Sequence, residues 1–356
     1  MEKFSKEHIP VFFHSSDEYC PMMSVVMVSI LEQTKSFIEF FIIETGITDF
    51  HKHQIESLHK QYDNFSVTWI PFEYNDIFKK KYFDMINPLN KVRKAWPGIH
   101  GYCTPFIPLL APEFDKIIYL DLDVILLDDI KLFYDEDLKG KAIGGIPDII
   151  QPCFTVEANP KIHNQKFGKY FCGGVLLINA KKFRENNLID KYFEVAATEY
   201  VPTADQDVLN ILLENDCVSL DQRYDVIYKV TQEEIDRKGL NVSAEIFKEA
   251  AKHTVIRHFA DIKPWDIEYF GFASRKELFH HGDWWYFAQK TPFYEALKNM
   301  YYSKKIECFC NKSCDTNKSK CKKIYFFGLP LFSIKRKNKK TKIYLFGKLH
   351  LFTMKE

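Results

Sequence analysis

Two carboxylates one residue apart, Asp121 and Asp123, close an apolar run in the segment Lys116-IIYLDLDVILLDD-Ile130. Ile117 to Leu120 read as a buried strand, and the two acids stand where it ends. In an extended backbone residues i and i+2 point the same way. Both carboxylates can therefore converge on one hard divalent cation, and such cations prefer oxygen ligands. A cation there suits a nucleotide diphosphate, because open α/β sheets bind ligands beyond the carboxyl ends of their strands. The pattern D-x-D recurs at Asp135/Asp137 and Asp205/Asp207, so position at a strand end is what singles out the first pair. The plain alternative is a solvated, acid-rich strand end.

Three further segments carry candidate chemistry. His258 closes the strand-like run Val255–Phe259, with Lys263-Pro264-Trp265 just behind it. An imidazole suits a Mn²⁺-type site, and a lysine is a point charge suited to a diphosphate leaving group; a lone histidine at a strand end is otherwise a structural residue. Asp205-Gln206-Asp207 opens a helical pattern, where acids also serve as ordinary partners of the helix dipole. Asp17 follows the first strand and reads equally as a loop acid. The sequence has neither G-x-G-x-x-G nor a Walker loop, so phosphates would have to be held by a metal rather than by glycine-rich backbone.

The elements that must position these residues begin with a regular alternation. Ile9–His14 is a strand, Met22–Glu32 an apolar helix after Pro21, and Phe37–Ile43 a second strand. Thr48 or Asp49 caps a polar, histidine-rich helix reaching about Tyr62, and Val67–Phe72 is a third strand. A β-α-β-α-β order predicts a mainly parallel sheet with helices on its faces. Residues 102–112 are expected to be helical and to lead into the strand before Asp121. Further strands are expected at Ala142–Ile146, ending at Pro147-Asp148, and along Tyr170-FCGGVLLIN-Ala180, whose glycines mark a close backbone approach. Helices are expected over Ala204–Asp216 and 283–302.

Composition bounds the rest. The 356 residues carry a formal net charge of +1, but residues 323–356 hold nine Lys/Arg and one acid, a net of +8 that leaves about −7 for the remainder. A body with that balance is no candidate for nucleic-acid binding. The sequence shows no apolar stretch long enough for a signal peptide or a membrane span, and nine cysteines then point to free thiols in a reducing cytoplasm. Cys308, Cys310, Cys314 and Cys321 lack the C-x2-C pairs usual for structural zinc, so a reduced polar linker is the leading reading and zinc the alternative. The chain ends in a repeat: KIYFFGLPLFSIK at 323–335 returns as KIYLFGKLHLFTMK at 342–355, each copy reading as strand, glycine turn, strand. Its basic and aromatic clusters suit an anionic membrane surface, and equally a pair of hairpins packed on the catalytic body with the lysines as a solvated face.

Taken in order, HSSDEY, DKIIYLDLDVIL, YFCGGVLLIN, ADQDVLN and HFADIKPW resemble family 8 glycosyltransferases of the bacterial lipopolysaccharide galactosyl- or glucosyltransferase type, from about Ile9 to Trp265. The resemblance implies a GT-A fold of Rossmann-like α/β class over residues 1–270. A helical extension (271–305), a cysteine-rich linker (306–322) and the basic-aromatic tail (323–356) would follow. It implies retaining transfer of a hexose from UDP-galactose or UDP-glucose to an oligosaccharide or glycolipid acceptor, with Mn²⁺ or Mg²⁺. The expected place is the cytoplasm, peripheral on the cytosolic face of the inner membrane. By this resemblance Asp121, Asp123 and His258 bind the metal. Asp205 and Gln206 face the donor sugar, Cys172 and Gly173 belong to the donor-sugar and acceptor site, and Lys263 steadies the leaving diphosphate. Gln206, Asp205 and Lys263 are the expected catalytic residues. Asp17 and Tyr19 hold the nucleoside, and Asp148 lies on the acceptor side. The chain departs from the family pattern at Glu18, at Thr104 (an arginine position), at Cys172 (an asparagine position) and in a shortened loop carrying Asp261. Metal and diphosphate residues are kept while sugar and nucleoside contacts change. The reaction leaves two routes open: front-face departure of UDP, or transient capture by a carboxylate such as Asp205.

Overall fold

The computed structural model describes residues 8–72, 85–86, 102–148, 169–201, 203–227, 230–237, 242–260, 263–266, 280–311, 321–326, 329–337, 340–345 and 349–355. They form two compact units, Met1–Met300 and Tyr301–Glu356. The first is built on a seven-stranded mixed sheet. Its strands are β1 (His8–Ser16), β2 (Phe37–Thr45), β3 (Phe65–Pro71), β4 (Lys116–Leu120), β6 (Ile143–Pro147), β7 (Phe171–Asn179) and β8 (Cys217–Ser219), in the order β3-β2-β1-β4-β7-β6-β8. The first four run parallel, β7 is antiparallel to β4 and β6, and β8 returns parallel to β6. The chain builds outward from β1 to β2 and β3 on one side, then crosses to β4 on the other. This makes the carboxyl ends of β1 and β4 the reversal point where α/β sheets bind ligands.

Both faces of the sheet are covered, which is why its strands are apolar on both sides rather than alternating. The helix Cys20–Gln33 starts with Pro21 in its first turn and buries eleven of its fourteen residues. Buried Ser29 accepts a 3.0 Å hydrogen bond from the Leu126 N–H and donates to the Val26 carbonyl at 2.7 Å. That bond ties the helix to β5 (Val124–Leu126), which pairs antiparallel with β9 (Ile256–His258) beside the main sheet. The β5–β9 ribbon was not legible as such. Its consequence is direct: Val124 pairs with His258, so the histidine stands next to the carboxylate segment.

Several expected elements differ in detail. The helix expected over 102–112 is a 3-10 turn, Thr104–Phe106, continued by Ile107–Leu110; Pro105 and Pro108 each tolerate only the first turn of a helix. The single aromatic helix expected over 283–302 is two, His281–Ala288 and Tyr294–Asn311, with Pro292 between them. Trp284, Phe287, Phe293 and Leu297 join the main core beside the helix Cys20–Gln33. Thr48, not Asp49, is the cap of Asp49–Glu56, its hydroxyl accepting from the His51 N–H at 3.4 Å.

In the second unit the repeat copies form β10 (Cys321–Phe326), β11 (Leu329–Lys337), β12 (Lys340–Leu345) and β13 (Leu349–Lys355) of one antiparallel meander. The two hairpins are thus joined through β11 and β12, a pairing the repeat alone did not indicate. Register aligns Lys335 with Lys342 and Thr353, and Lys337 with Lys340 and Lys355, on one face. Phe332, Ile334, Ile343, Leu345 and Phe352 take positions on the other. Cys314 lies outside the described residues, as do the side chains of Cys308, Cys310 and Cys321.

Candidate active site

The acidic pair stands at the end of β4, as its spacing predicts. The Asp121 N–H donates to the Gly174 carbonyl on β7 (2.8 Å), and the Asp123 carbonyl accepts from the Phe259 N–H just after β9 (2.7 Å). The backbone is thereby fixed from both sides. Ligand atoms of Asp121, Asp123 and His258 all lie within 4.8 Å of one another. His258 Nε2 is 3.3 Å from Asp123 Oδ1, and its Nδ1 is 2.9 Å from Asp225 Oδ1. Lys263 Nζ is bound to the other Asp123 oxygen and to the carbonyls of Phe259 (2.8 Å) and Ala260 (3.0 Å). The Tyr119 hydroxyl, two residues before Asp121 on the same side of the strand, donates to Asp121 Oδ1 at 2.9 Å.

The electrostatics mark this as a charged site held in low dielectric. Burial and the neighbouring Asp123 push the Asp121 carboxyl up. Burial acts the same way on Asp123, but the Lys263 and His258 charges outweigh it and hold this carboxyl well below the ordinary range. Burial disfavours the charged His258 ring, yet Asp123 and Asp225 overcome it and keep its pKa well above the ordinary value. The donor set fits a divalent cation: two carboxylates would balance its charge and an imidazole nitrogen would complete a borderline site. Space points the same way. A Cβ added at Gly174 would lie 2.5 Å from Asp121 Oδ2 and 2.8 Å from His258 Cε1, so β7 presses bare backbone against this cluster.

A second group of expected residues gathers around Gln206. The helix Asp205–Leu212 begins after Ala204, whose φ of +50° is unusual for a residue with a side chain. The turn persists because later residues lock it. Asn210 exchanges two 2.8 Å hydrogen bonds with the Phe171 backbone, and Asp207 accepts from the Tyr170 hydroxyl (2.6 Å) and the Thr203 N–H (2.7 Å). The second acid and the asparagine of DQDVLN are therefore structural latches, and the first two residues are left to face the site. Gln206 Oε1 accepts from the Gly173 N–H at 2.7 Å, while Nε2 donates to Asp148 Oδ2 (2.9 Å) and to the Tyr170 oxygen (3.1 Å). Asp205 accepts from the Thr104 hydroxyl at 2.8 Å and from the Gln206 N–H at 2.9 Å. Its carboxyl is pushed up to about 7, chiefly by burial.

The two groups meet along β7. Cys172 lies 3.8 Å from His258 Nδ1, Gly173 bonds Gln206, and Gly174 borders Asp121. Asp17 and Tyr19 belong to neither group. Asp17, at the end of β1, accepts through one oxygen from the Thr48 N–H, the Thr48 hydroxyl and His51 Nδ1, each at 2.8 Å, and Tyr19 is exposed. Asp261 lies outside the described residues. Sequence reasoning missed Tyr119, Tyr170, Gly174 as a contact, and Asp225. Tyr119 was accessible from the i, i+2 rule; Asp225 offered no periodicity or motif.

Comparison with known proteins follows the same boundaries. A family model described as "Glycosyl transferase family 8" matches residues 10–268. Glycosyltransferase GlyF of Streptococcus pneumoniae is 28% identical over 180 residues, 49% of this chain and 38% of that protein. The lipopolysaccharide 1,2-glucosyltransferase of Escherichia coli K12 is 27% identical over 160 residues, 44% of this chain and 46% of that one. The chain thus spans less than half the length of either relative. Among solved structures, the WbbM bifunctional glycosyltransferase superposes with a TM-score of 0.64 at 18% identity, over 83% of this chain and 52% of that one. An active-site mutant of LgtC gives 0.57 at 19% identity, over 80% and 96%. At such identities these structures speak to fold alone, and the fold is the GT-A type.

Proposed function

The chain belongs to glycosyl transferase family 8, and on that premise we propose that it moves a hexose, galactose or glucose, from a UDP-sugar to a saccharide acceptor with retention of configuration. The observation that carries this reading is the convergence of Asp121, Asp123 and His258 at the carboxyl end of β4, beside β1. These three residues would hold Mn²⁺ or Mg²⁺, which when bound supplies Lewis-acid stabilisation of the departing diphosphate. Lys263, already at the edge of the cluster, adds a fixed positive charge for the same developing anion. On the same reading Asp17 and Tyr19 would contact the nucleoside, and Asp148 would lie on the acceptor side.

Transfer also needs a surface for the sugar that develops oxocarbenium character. Gln206 is held by three hydrogen bonds in one orientation, with its carbonyl oxygen engaged by Gly173. An amide so engaged is a positioned dipole rather than a nucleophile. Asp205 is partly buried, already accepts hydrogen bonds from Thr104 and the Gln206 N–H, and has a carboxyl pushed up to about 7, chiefly by desolvation. Both facts favour front-face departure of UDP, with attack from the same side, over covalent capture.

The acceptor we propose is a lipopolysaccharide or lipooligosaccharide intermediate, in line with the activity named for the Escherichia coli relatives. The tail sheet gives that proposal a physical basis, since its register gathers Lys335, Lys337, Lys340, Lys342 and Lys355 on one face. Each lysine near an anionic lipid surface contributes roughly 1 kcal/mol, so several suffice for reversible binding. Among the described residues no helix is long and apolar enough to cross a membrane.

The test is a donor screen: purified chain with UDP-sugars, Mn²⁺ or Mg²⁺, and EDTA controls, following UDP release and sugar transfer. Metal-dependent turnover with UDP-galactose or UDP-glucose is expected. Tight UDP binding without hydrolysis or transfer from any donor would show a sugar-nucleotide-binding homologue instead.

A further inference from the structure

Behind His258, on the side away from Asp121 and Asp123, lies a carboxylate that neither the sequence motifs nor the proposed reaction uses. Asp225 has a side chain that is 0% exposed, and its Oδ1 is 2.9 Å from His258 Nδ1. Its other oxygen is buried with no hydrogen-bond partner among the described residues. A buried carboxylate with half its acceptor capacity unused is costly and asks for a compensating role.

The surrounding backbone holds Asp225 at this spot. It follows the 3-10 turn Gln222–Tyr224, with its N–H on the Gln222 carbonyl (3.1 Å) and its own carbonyl accepting from Gln222 Nε2 (3.3 Å). The next residue, Val226, donates to Ile256 and accepts from the His258 N–H, both at 3.0 Å. Asp225 and His258 are thus registered to each other through the backbone as well as through their side chains. Cys172 is the other group near Nδ1, at 3.8 Å. Burial keeps its thiol neutral, and sulfur is a weak acceptor.

We infer that Asp225 is a positioning residue: it accepts the Nδ1 proton of His258 and so commits the Nε2 lone pair to the cation site. A neutral imidazole carries one proton, and the partner at one nitrogen decides which nitrogen is free to ligate. The inference rests on the reading of His258 as a metal ligand. It goes beyond that reading by making ligation depend on a residue from another part of the chain.

Asp225→Asn separates positioning from packing, because its shape is nearly unchanged. The amide can turn its NH₂ toward Nδ1, favouring the tautomer with the proton on Nε2, which cannot bind a metal. The experiment measures free Mn²⁺ by electron paramagnetic resonance in the presence of UDP, for the full-length wild type, Asp225→Asn and His258→Ala. Asp225→Asn is expected to weaken Mn²⁺ binding roughly 10–100-fold, with kcat recovering at saturating Mn²⁺ and the melting temperature near that of the wild type. Wild-type Mn²⁺ affinity in Asp225→Asn, alongside a large loss in His258→Ala, would overturn the inference and leave the ligand reading standing. Wild-type affinity in His258→Ala would overturn the ligand reading itself. Should Asp225→Asn fail to fold, ¹⁵N-histidine NMR of the wild type with Mg²⁺ and UDP decides. A proton on Nδ1 of His258 is expected, and one on Nε2 would refute the inference.

Discussion

Gly174→Ala adds one methyl group where β7 passes the acidic pair, and the structure fixes how much must give. The new Cβ would lie 2.5 Å from Asp121 Oδ2, 3.0 Å from Asp121 Cγ and 2.8 Å from His258 Cε1. Restoring ordinary contact at 3.4 Å requires the carboxylate oxygen to retreat by about 0.9 Å and the imidazole by about 0.6 Å. Neither has an easy path. Asp121 is held by its backbone bond to Gly174 and by Tyr119, and His258 by Asp225. Overpacking of this kind costs roughly 1–3 kcal/mol of stability. In an unstrained strand, alanine for glycine would otherwise be favourable by roughly 0.5–1 kcal/mol. The functional cost is larger, because a misplacement near 1 Å can cost about 10²-fold in rate. Gly173→Ala is the control: its Cβ meets Gln206 at 3.0 Å and misses the acidic pair. Thermal melts, Mn²⁺ titration in the presence of UDP, and donor turnover would be compared for both. Gly174→Ala is expected to stay folded at room temperature, lose Mn²⁺ affinity at least tenfold and lose turnover by about 10²-fold or more. Gly173→Ala should keep its metal affinity. A Gly174→Ala enzyme with wild-type metal affinity and rate would refute the packing argument and the ligand assignment with it.

Asp123→Ala should abolish turnover and metal-dependent UDP binding, by about 10³-fold or more in rate, in a protein that remains folded; near-normal activity in metal-limited buffer would contradict it. Substitutions at Gln206 and Asp205 should lower turnover far more than UDP affinity, and equal losses of both would indicate a capping role. The raised Asp205 pKa makes a stability prediction for the metal-free protein. Unfolded, this carboxyl ionises near pH 4; folded, near 7. Its burial therefore costs nothing below about pH 4, increasingly more as pH rises from 4 to 7, and a constant amount above. Melting curves of Asp205→Asn should match the wild type at pH 4 and exceed it at pH 8, and parallel pH profiles would contradict this. Truncation after Lys322 should abolish co-sedimentation with anionic vesicles and activity on membrane-embedded acceptor while sparing activity on a soluble sugar. Continued sedimentation would exclude the tail as the anchor.

The acidic pair was legible because two simple rules, apolar run and i, i+2 spacing, coincide at Asp121 and Asp123. The parallel half of the sheet was legible for a similar reason, since β1, β2 and β3 alternate with patterned helices. What the sequence hides is pairing between distant segments. The β5–β9 ribbon brings His258 to Asp123 across 135 positions, and three-residue strands carry no usable periodicity. Asp225 is hidden for the same reason, because its role exists only through its bond to a histidine 33 residues away. Within DQDVLN the sequence marks Asp205 and Gln206 for the site but is silent on Asp207 and Asn210, which fasten the helix to β7 through bonds to Tyr170 and the Phe171 backbone. Helix boundaries drifted where prolines intervened, at Pro105, Pro108 and Pro292, because proline permits one turn and then interrupts.

The measurement that bears most directly on the central claim is a crystal structure of the full chain with UDP and Mn²⁺, with anomalous data collected at the manganese edge. The account predicts a single anomalous peak about 2.0–2.4 Å from carboxylate oxygens of Asp121 and Asp123 and from His258 Nε2, with diphosphate oxygens completing the shell. UDP bound at the end of β4 without such a peak, or a peak held by other residues, would contradict it.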